Sequence, residues 1–190
     1  MSDRFLEWLR WAIQHVGDGY FGHSERVYCY ELYHLIRVKM YMYERQNSPL
    51  RNLFLHSELV KRIITQEEAD YHNVWPLGAQ RIPDFLFHTP GNFENQIATM
   101  EVKVVELQVD DFYDDLIKLS NMIERYNYQI AIFHCINNSL NRLRLLIHRM
   151  DGKWEALNPN IIIIMRENFH SRIQELTLGE LIERVNRPIF

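Results

Sequence analysis

Apolar residues recur with a helical period near the N-terminus. Phe5, Leu6, Leu9, Ala12, Ile13 and Val16, widened by Trp8 and Trp11, predict a helix over residues 5–16, ended by Gly17-Asp18-Gly19. Ser24 is placed to cap a second helix from residue 25 to about 43. Its apolar face carries Val27, Tyr28, Leu32, Leu35, Ile36 and Val38, while Arg26, Tyr30, Tyr33 and Arg37 turn away. Over residues 53–64 two periods compete: Phe54, His56, Glu58 and Val60 alternate as in a strand, whereas Leu55, Leu59 and Ile63 repeat as in a helix. Residues 66–80 read as a loop around Pro76-Leu77-Gly78, with Trp75 as a core plug, and the loop is long enough to touch a substrate.

Residues 82–88 and 96–105 are two strand-like runs joined by Thr89-Pro90-Gly91-Asn92, the pattern of a β-hairpin. Residues 109–127 return to a helical period through Phe112, Leu116, Leu119, Met122, Ile123 and Tyr126. Asp110, Asp111, Asp114 and Asp115 crowd its start, where the helix dipole favours negative charge. A mostly apolar strand follows at 129–136 and contains His134, read as a satisfied core or edge histidine. A helix capped by Asn138-Ser139 runs to Met150, and Asp151-Gly152 turns the chain. The helix carries an arginine-rich patch (Arg142, Arg144, Arg149, with His148) that suits either a DNA-facing or a plain solvated surface. A strand at 161–165 and a helix at 176–185 close the chain, and the alternation as a whole predicts an α/β or α+β domain.

The hairpin carries the candidate chemistry. Strand alternation sends Met100, Val102 and Val104 to one face and Glu101 and Lys103 to the other. If Thr89 pairs with Gln96, the register brings Asp84 opposite Glu101, with Cβ atoms about 5 Å apart. Two like charges so close call for a counter-charge, and a divalent cation is the natural one because it seeks carboxylate oxygens.

Pro83-Asp84 on one strand and Glu101-Val102-Lys103 on the next resemble the PD-(D/E)xK nuclease superfamily; His88, Pro90-Gly91 and Asn95 extend the likeness to its small uncharacterised bacterial members. An E-x-K or D-x-K triplet alone arises about once by chance in a chain this long. Asp151-Gly152-Lys153 is such a triplet, set in a turn, so the strand context and the preceding Pro-Asp carry the resemblance. It implies a restriction-endonuclease-like α-β-β-β-α-β core, a central mixed sheet flanked by helices. On that outline residues 24–136 form the core, 1–23 a helical extension and 137–190 a helix-strand-helix that completes a single domain. The resemblance also implies Mg²⁺ or Mn²⁺ held by Asp84, Glu101 and the Val102 carbonyl, with a third acid from Glu31 or Glu58. Lys103 would orient or activate the attacking water, and Lys61, Arg62 and Lys118 are weaker candidates for phosphate contact. The implied activity is phosphodiester hydrolysis, with DNA as substrate and a homodimer as the means of cutting two strands. The alternative is an inactive nuclease-like fold that binds nucleic acid or protein.

Composition adjusts this picture. With 190 residues, 47% apolar and 13% aromatic, the chain suits one globular domain. No run approaches the ~20 apolar residues that span a bilayer, and Glu7, Arg10 and Gln14 break up any signal peptide. Two cysteines, Cys29 and Cys135, are too few for a disulfide framework and point to a reduced cytoplasm. No His-Glu-x-x-His, P-loop or Gly-x-Ser-x-Gly motif is present. A net charge of −4 weighs against non-specific phosphate binding but allows a basic stripe beside acidic active-site groups.

Overall fold

Helical periodicity at the N-terminus produces two helices, α1 (Ser2–His15) and α2 (Glu25–Gln46), which share one layer. Phe5, Trp8, Leu9 and Ile13 of α1 and Tyr28, Leu32 and Ile36 of α2 are buried in it against Phe85, Phe87, Met100 and Val102. Phe5 stacks on Phe87 with ring centroids 5.1 Å apart, so α1 belongs to the core. Val27, assigned to the apolar face by pattern, is exposed: it lies on the flank of the stripe that buries Tyr28. Ser24 occupies the N-cap position but makes no side-chain capping bond.

This computed structural model describes residues 1–57, 67, 70–71, 83–91 and 93–186. It is an α/β protein in which β1 (Phe54–Ser57), β2 (Phe85–His88) and β3 (Gln96–Lys103) pair antiparallel, β1 with β2 and β2 with β3. After α3 (Val109–Tyr126) the chain returns parallel to β3 as β4 (Ile130–Ile136), and after α4 (Leu140–Arg149) parallel again as β5 (Ile162–Arg166). Antiparallel β6 (Gln174–Thr177) and α5 (Leu178–Asn186) close the described chain. The strands form one mixed sheet in the order β1-β2-β3-β4-β5-β6, with helices on both faces. Helical crossovers are what parallel neighbours require, and they explain why β4 and β5 read as near-continuous apolar runs.

Two-residue alternation divides the sheet between two cores. Met100, Val102, Ile132 and Ile164 face α1 and α2, whereas Ala131, Phe133, Ile163 and Met165 face α3, α4 and α5 through Phe112, Leu116, Leu143, Ile147 and Leu181. Of the two periods that compete over residues 53–64, the strand holds for Phe54–Ser57; residues 58–64 lie outside the described residues. β6 had no signal in the pattern, because it is four residues long with two exposed side chains. Among the described residues, no helix is long and apolar enough to cross a membrane. Cys29 and Cys135 are both buried.

The hairpin differs from its predicted register at one point. Phe85 pairs with Met100, Leu86 with Thr99 and Phe87 with Ala98, the alignment that places Asp84 level with Glu101. At the loop end His88, not Thr89, pairs with Gln96, because a bulge between Phe87 and His88 leaves Ile97 as the extra residue. The bulge lies on the loop side of the strand pair and leaves the alignment on the Asp84 side unchanged.

His134 is fully buried between the layers. Its Nδ1 lies 2.9 Å from the Ile164 carbonyl, which can only accept, so Nε2 is left to accept the Tyr28 hydroxyl, also at 2.9 Å. Burial, aided by the Arg166 charge and opposed by the Ile164 bond, lowers its pKa to about 4. A histidine held neutral in the fold contributes its stability above the ordinary value of 6.5; as pH falls from there toward 4 the unfolded chain takes up a proton that the fold refuses. Urea unfolding is therefore expected to show a loss on the order of 3 kcal/mol over that window that His134→Gln largely removes. Equal slopes for the two proteins would contradict the assignment.

Candidate active site

Alternation along β3 turns Glu101 and Lys103 away from the α1–α2 core and toward α3. Asp84 stands just before β2, where its Oδ2 accepts the Val102 N–H at 2.7 Å. That bond fixes the Asp84 carboxylate at the level of Glu101. Glu101 is only 1% exposed. Burial, and after it the Asp84 charge, holds the Glu101 carboxyl well above the usual carboxylate range, while Lys118 pulls the other way. Burial also raises Asp84, opposed by the Val102 N–H and the two lysines.

The helix after the hairpin supplies the opposing charges. Lys118 Nζ of α3 is 2.9 Å from Glu101 Oε2 and 3.1 Å from Asp115 Oδ1. The second oxygen of Asp115 lies 3.4 Å from Lys103 Nζ, which is 3.7 Å from Glu25 Oε2 at the start of α2. A chain of alternating charge thus runs from Glu25 through Lys103, Asp115 and Lys118 to Glu101, with Asp84 beside its end. Burial depresses both ammonium groups, but the surrounding carboxylates, Asp115 first for Lys103 and Glu101 first for Lys118, raise both above the ordinary lysine value. Both lysines stay cationic.

Two consecutive asparagines, Asn138 buried and Asn137 exposed, hold the segment that delivers this geometry. Asn138 accepts the Leu107 N–H and donates to the Val105 and Ile136 carbonyls, and Asn137 donates to Val104 and Phe21. They clasp the chain between Lys103 and the start of α3. Beside the lysine chain opens a cleft of about 340 Å³ walled by Glu25, Lys103, Glu106, Asp111, Asp114 and Asp115.

The structure brings together Asp84, Glu101, Lys103 and Lys118 from the sequence reading. Lys118, a weaker candidate for phosphate contact by sequence, has a side chain only 18% exposed and paired with Glu101. Val102 meets Asp84 through its N–H. Of the α2 acids, Glu25 is the one against Lys103; Glu31 lies six residues further along, partly buried. Glu58, Lys61, Arg62 and Trp75 lie outside the described residues. In the arginine-rich patch, Arg142 turns to the Leu107 carbonyl and Glu106, and Arg144 to the Arg184 carbonyl.

The helix dipole is a sufficient local reason for Asp115 and its three acidic neighbours, and the resemblance points to Glu31 rather than to Glu25 on α2. A signal for Asp115 was present: it shares the helical face of Phe112, Leu116, Leu119 and Met122, and an acid on a buried face needs a partner. Lys118 stands three residues on, the spacing of an intrahelical pair.

The chemistry of the donor set suits a divalent cation held by few ligands. If all ionise, four carboxylates (Glu25, Asp84, Glu101, Asp115) face two ammonium groups (Lys103, Lys118), leaving two negative charges. Glu101 Oε1 is buried without a hydrogen-bond partner, an acceptor that folding alone does not satisfy. Among the described residues no group of three or more His, Cys, Asp or Glu is arranged to hold a metal. A pair is the number Mg²⁺ takes when water and substrate phosphate complete its octahedron. Comparison with family models, curated proteins and solved structures gives no match.

Proposed function

We propose that this chain is a metal-dependent phosphoryl hydrolase, and within that class a nuclease of the PD-(D/E)xK type acting on DNA. The observation that carries the reading is the buried Glu101 carboxylate, one oxygen unpartnered and the other paired with Lys118, level with Asp84. Further support comes from the order of the described elements, α2, then β1-β2-β3 antiparallel, α3, and β4 parallel to β3, which is compatible with the α-β-β-β-α-β order that the resemblance implies.

Asp84 and Glu101 would hold Mg²⁺ or Mn²⁺, which when bound polarises a phosphoryl oxygen and lowers the pKa of water. The chain's own residues do the rest. The Val102 N–H fixes Asp84, and the burial that disfavours an uncompensated charge on Glu101 would favour a cation as its partner. Lys103, held as an ammonium between Asp115 and Glu25, orients the water and offsets the negative charge that develops on the phosphate. The acidic cleft alongside is a poor channel for a polyanion, so phosphate is expected to enter over the lysines. One site per chain makes a homodimer the natural arrangement for duplex cleavage.

Incubation with single-stranded and duplex DNA is expected to give Mn²⁺- or Mg²⁺-dependent cleavage that chelation stops and added metal restores. Lys103→Met is expected to lower kcat roughly 100-fold with little change in KM. Salt-sensitive DNA binding with no cleavage under any metal would replace the reading by the binding-module alternative.

A further inference from the structure

Lys118 stands where a metal ion would be needed, and Asp115 keeps it there. Its ammonium lies 2.9 Å from Glu101 Oε2, the paired oxygen of the carboxylate whose other oxygen has no hydrogen-bond partner. Asp115 divides its oxygens, Oδ1 to Lys118 at 3.1 Å and Oδ2 to Lys103 at 3.4 Å, so one buried carboxylate sets the position of both cations. A divalent ion on Glu101 would face the Lys118 ammonium across a single carboxylate, and like charges so close repel. Lysine carries its charge on a flexible four-carbon stem, so it can leave one anion for another without moving its helix.

We propose that Lys118 is a resident cation that competes with the metal for Glu101 and is drawn off by a substrate phosphate, so that metal and phosphate bind cooperatively. The inference rests on the metal site proposed above and adds a regulatory element to it. In the metal-free protein Lys118 neutralises Glu101 and keeps metal affinity low. When a phosphate group arrives, its oxygens replace Glu101 as partner for the ammonium and free that carboxylate for the metal. Asp115 is the tether: it holds Lys118 between the two positions and keeps Lys103 off Glu101.

The test is calorimetric titration of Mn²⁺ into the native protein, Lys118→Met and Lys118→Arg, each with and without thymidine monophosphate, with folding verified by thermal melting. Native protein and Lys118→Arg are expected to bind Mn²⁺ weakly alone and about 10-fold more tightly with the nucleotide. Lys118→Met is expected to bind Mn²⁺ alone about 10-fold more tightly than native, with less than about a twofold further gain from the nucleotide. Should Lys118→Met fail to fold, Lys118→Gln carries the same expectation with a polar side chain beside Glu101. If the folded neutral variant binds Mn²⁺ no more tightly than native, the competition is overturned while the metal site stands. If no variant binds Mn²⁺ even with the nucleotide, the metal site falls and the inference falls with it.

Discussion

Asp84→Asn is expected to abolish Mn²⁺ binding and to lower metal-dependent phosphodiester hydrolysis by roughly 1,000-fold, with thermal melting nearly unchanged. Asparagine keeps the side-chain oxygen that accepts the Val102 N–H at 2.7 Å, so the local fold has no reason to shift. What it removes is the charge. Asp84 and Glu101 form a pair, and no third histidine, cysteine or carboxylate joins them in a metal-holding group among the described residues. One neutralised member leaves a single carboxylate, too little to hold a hard cation against water. A calorimetric titration and a cleavage assay on the same preparation decide the point, and activity within tenfold of native would contradict it.

The largest effect on stability is expected at Arg166. This residue is 3% exposed and, among the described residues, has no carboxylate as a hydrogen-bond partner. It donates instead to three backbone carbonyls, those of Ile13, Phe169 and Ser171, and lies 5.0 Å from the ring centres of both Phe21 and Phe169. Ile13 is in the last turn of α1, whose carbonyls lack intrahelical donors, so Arg166 at the end of β5 satisfies a helix terminus and ties α1 to the sheet. Arg166→Met fills similar space but leaves those acceptors without their donor. The expected loss is about 3–5 kcal/mol, or roughly 10 °C in melting temperature. A melting temperature within about 2 °C of native would show that the carbonyls find other donors.

The acid pair was legible because a strand has a rigid two-residue period. Alternation fixed which of Glu101 and Val102 turns from the core, and Pro90-Gly91 fixed where the hairpin reverses. The bulge at Phe87/His88 was not legible, yet it moved only the loop end of the pairing. Helix contributions were harder to read. Glu25 and Glu31 flank the same apolar stripe of α2, and the one that meets Lys103 depends on how α2 crosses the sheet, which periodicity does not encode. Asp115 shows a different failure. Acids at a helix start have a sufficient local explanation in the dipole, and that explanation concealed the one acid that faces inward. Lys118 follows from Asp115, since a lysine three residues from a buried acid is placed to pair with it. β6 escaped because a short strand with two exposed side chains has too little alternation to stand out from a loop.

The most direct test of the account is calorimetric titration of Mn²⁺ into the native protein, Asp84→Asn and Glu101→Gln, with thymidine monophosphate present so that phosphate can complete the ligand set. The account predicts one Mn²⁺ per chain for native protein and none for either variant, although both remain folded. Equal binding by all three would place any metal elsewhere. No binding by native protein would leave the buried Asp84–Glu101 pair as a structural ion-pair cluster and contradict the account.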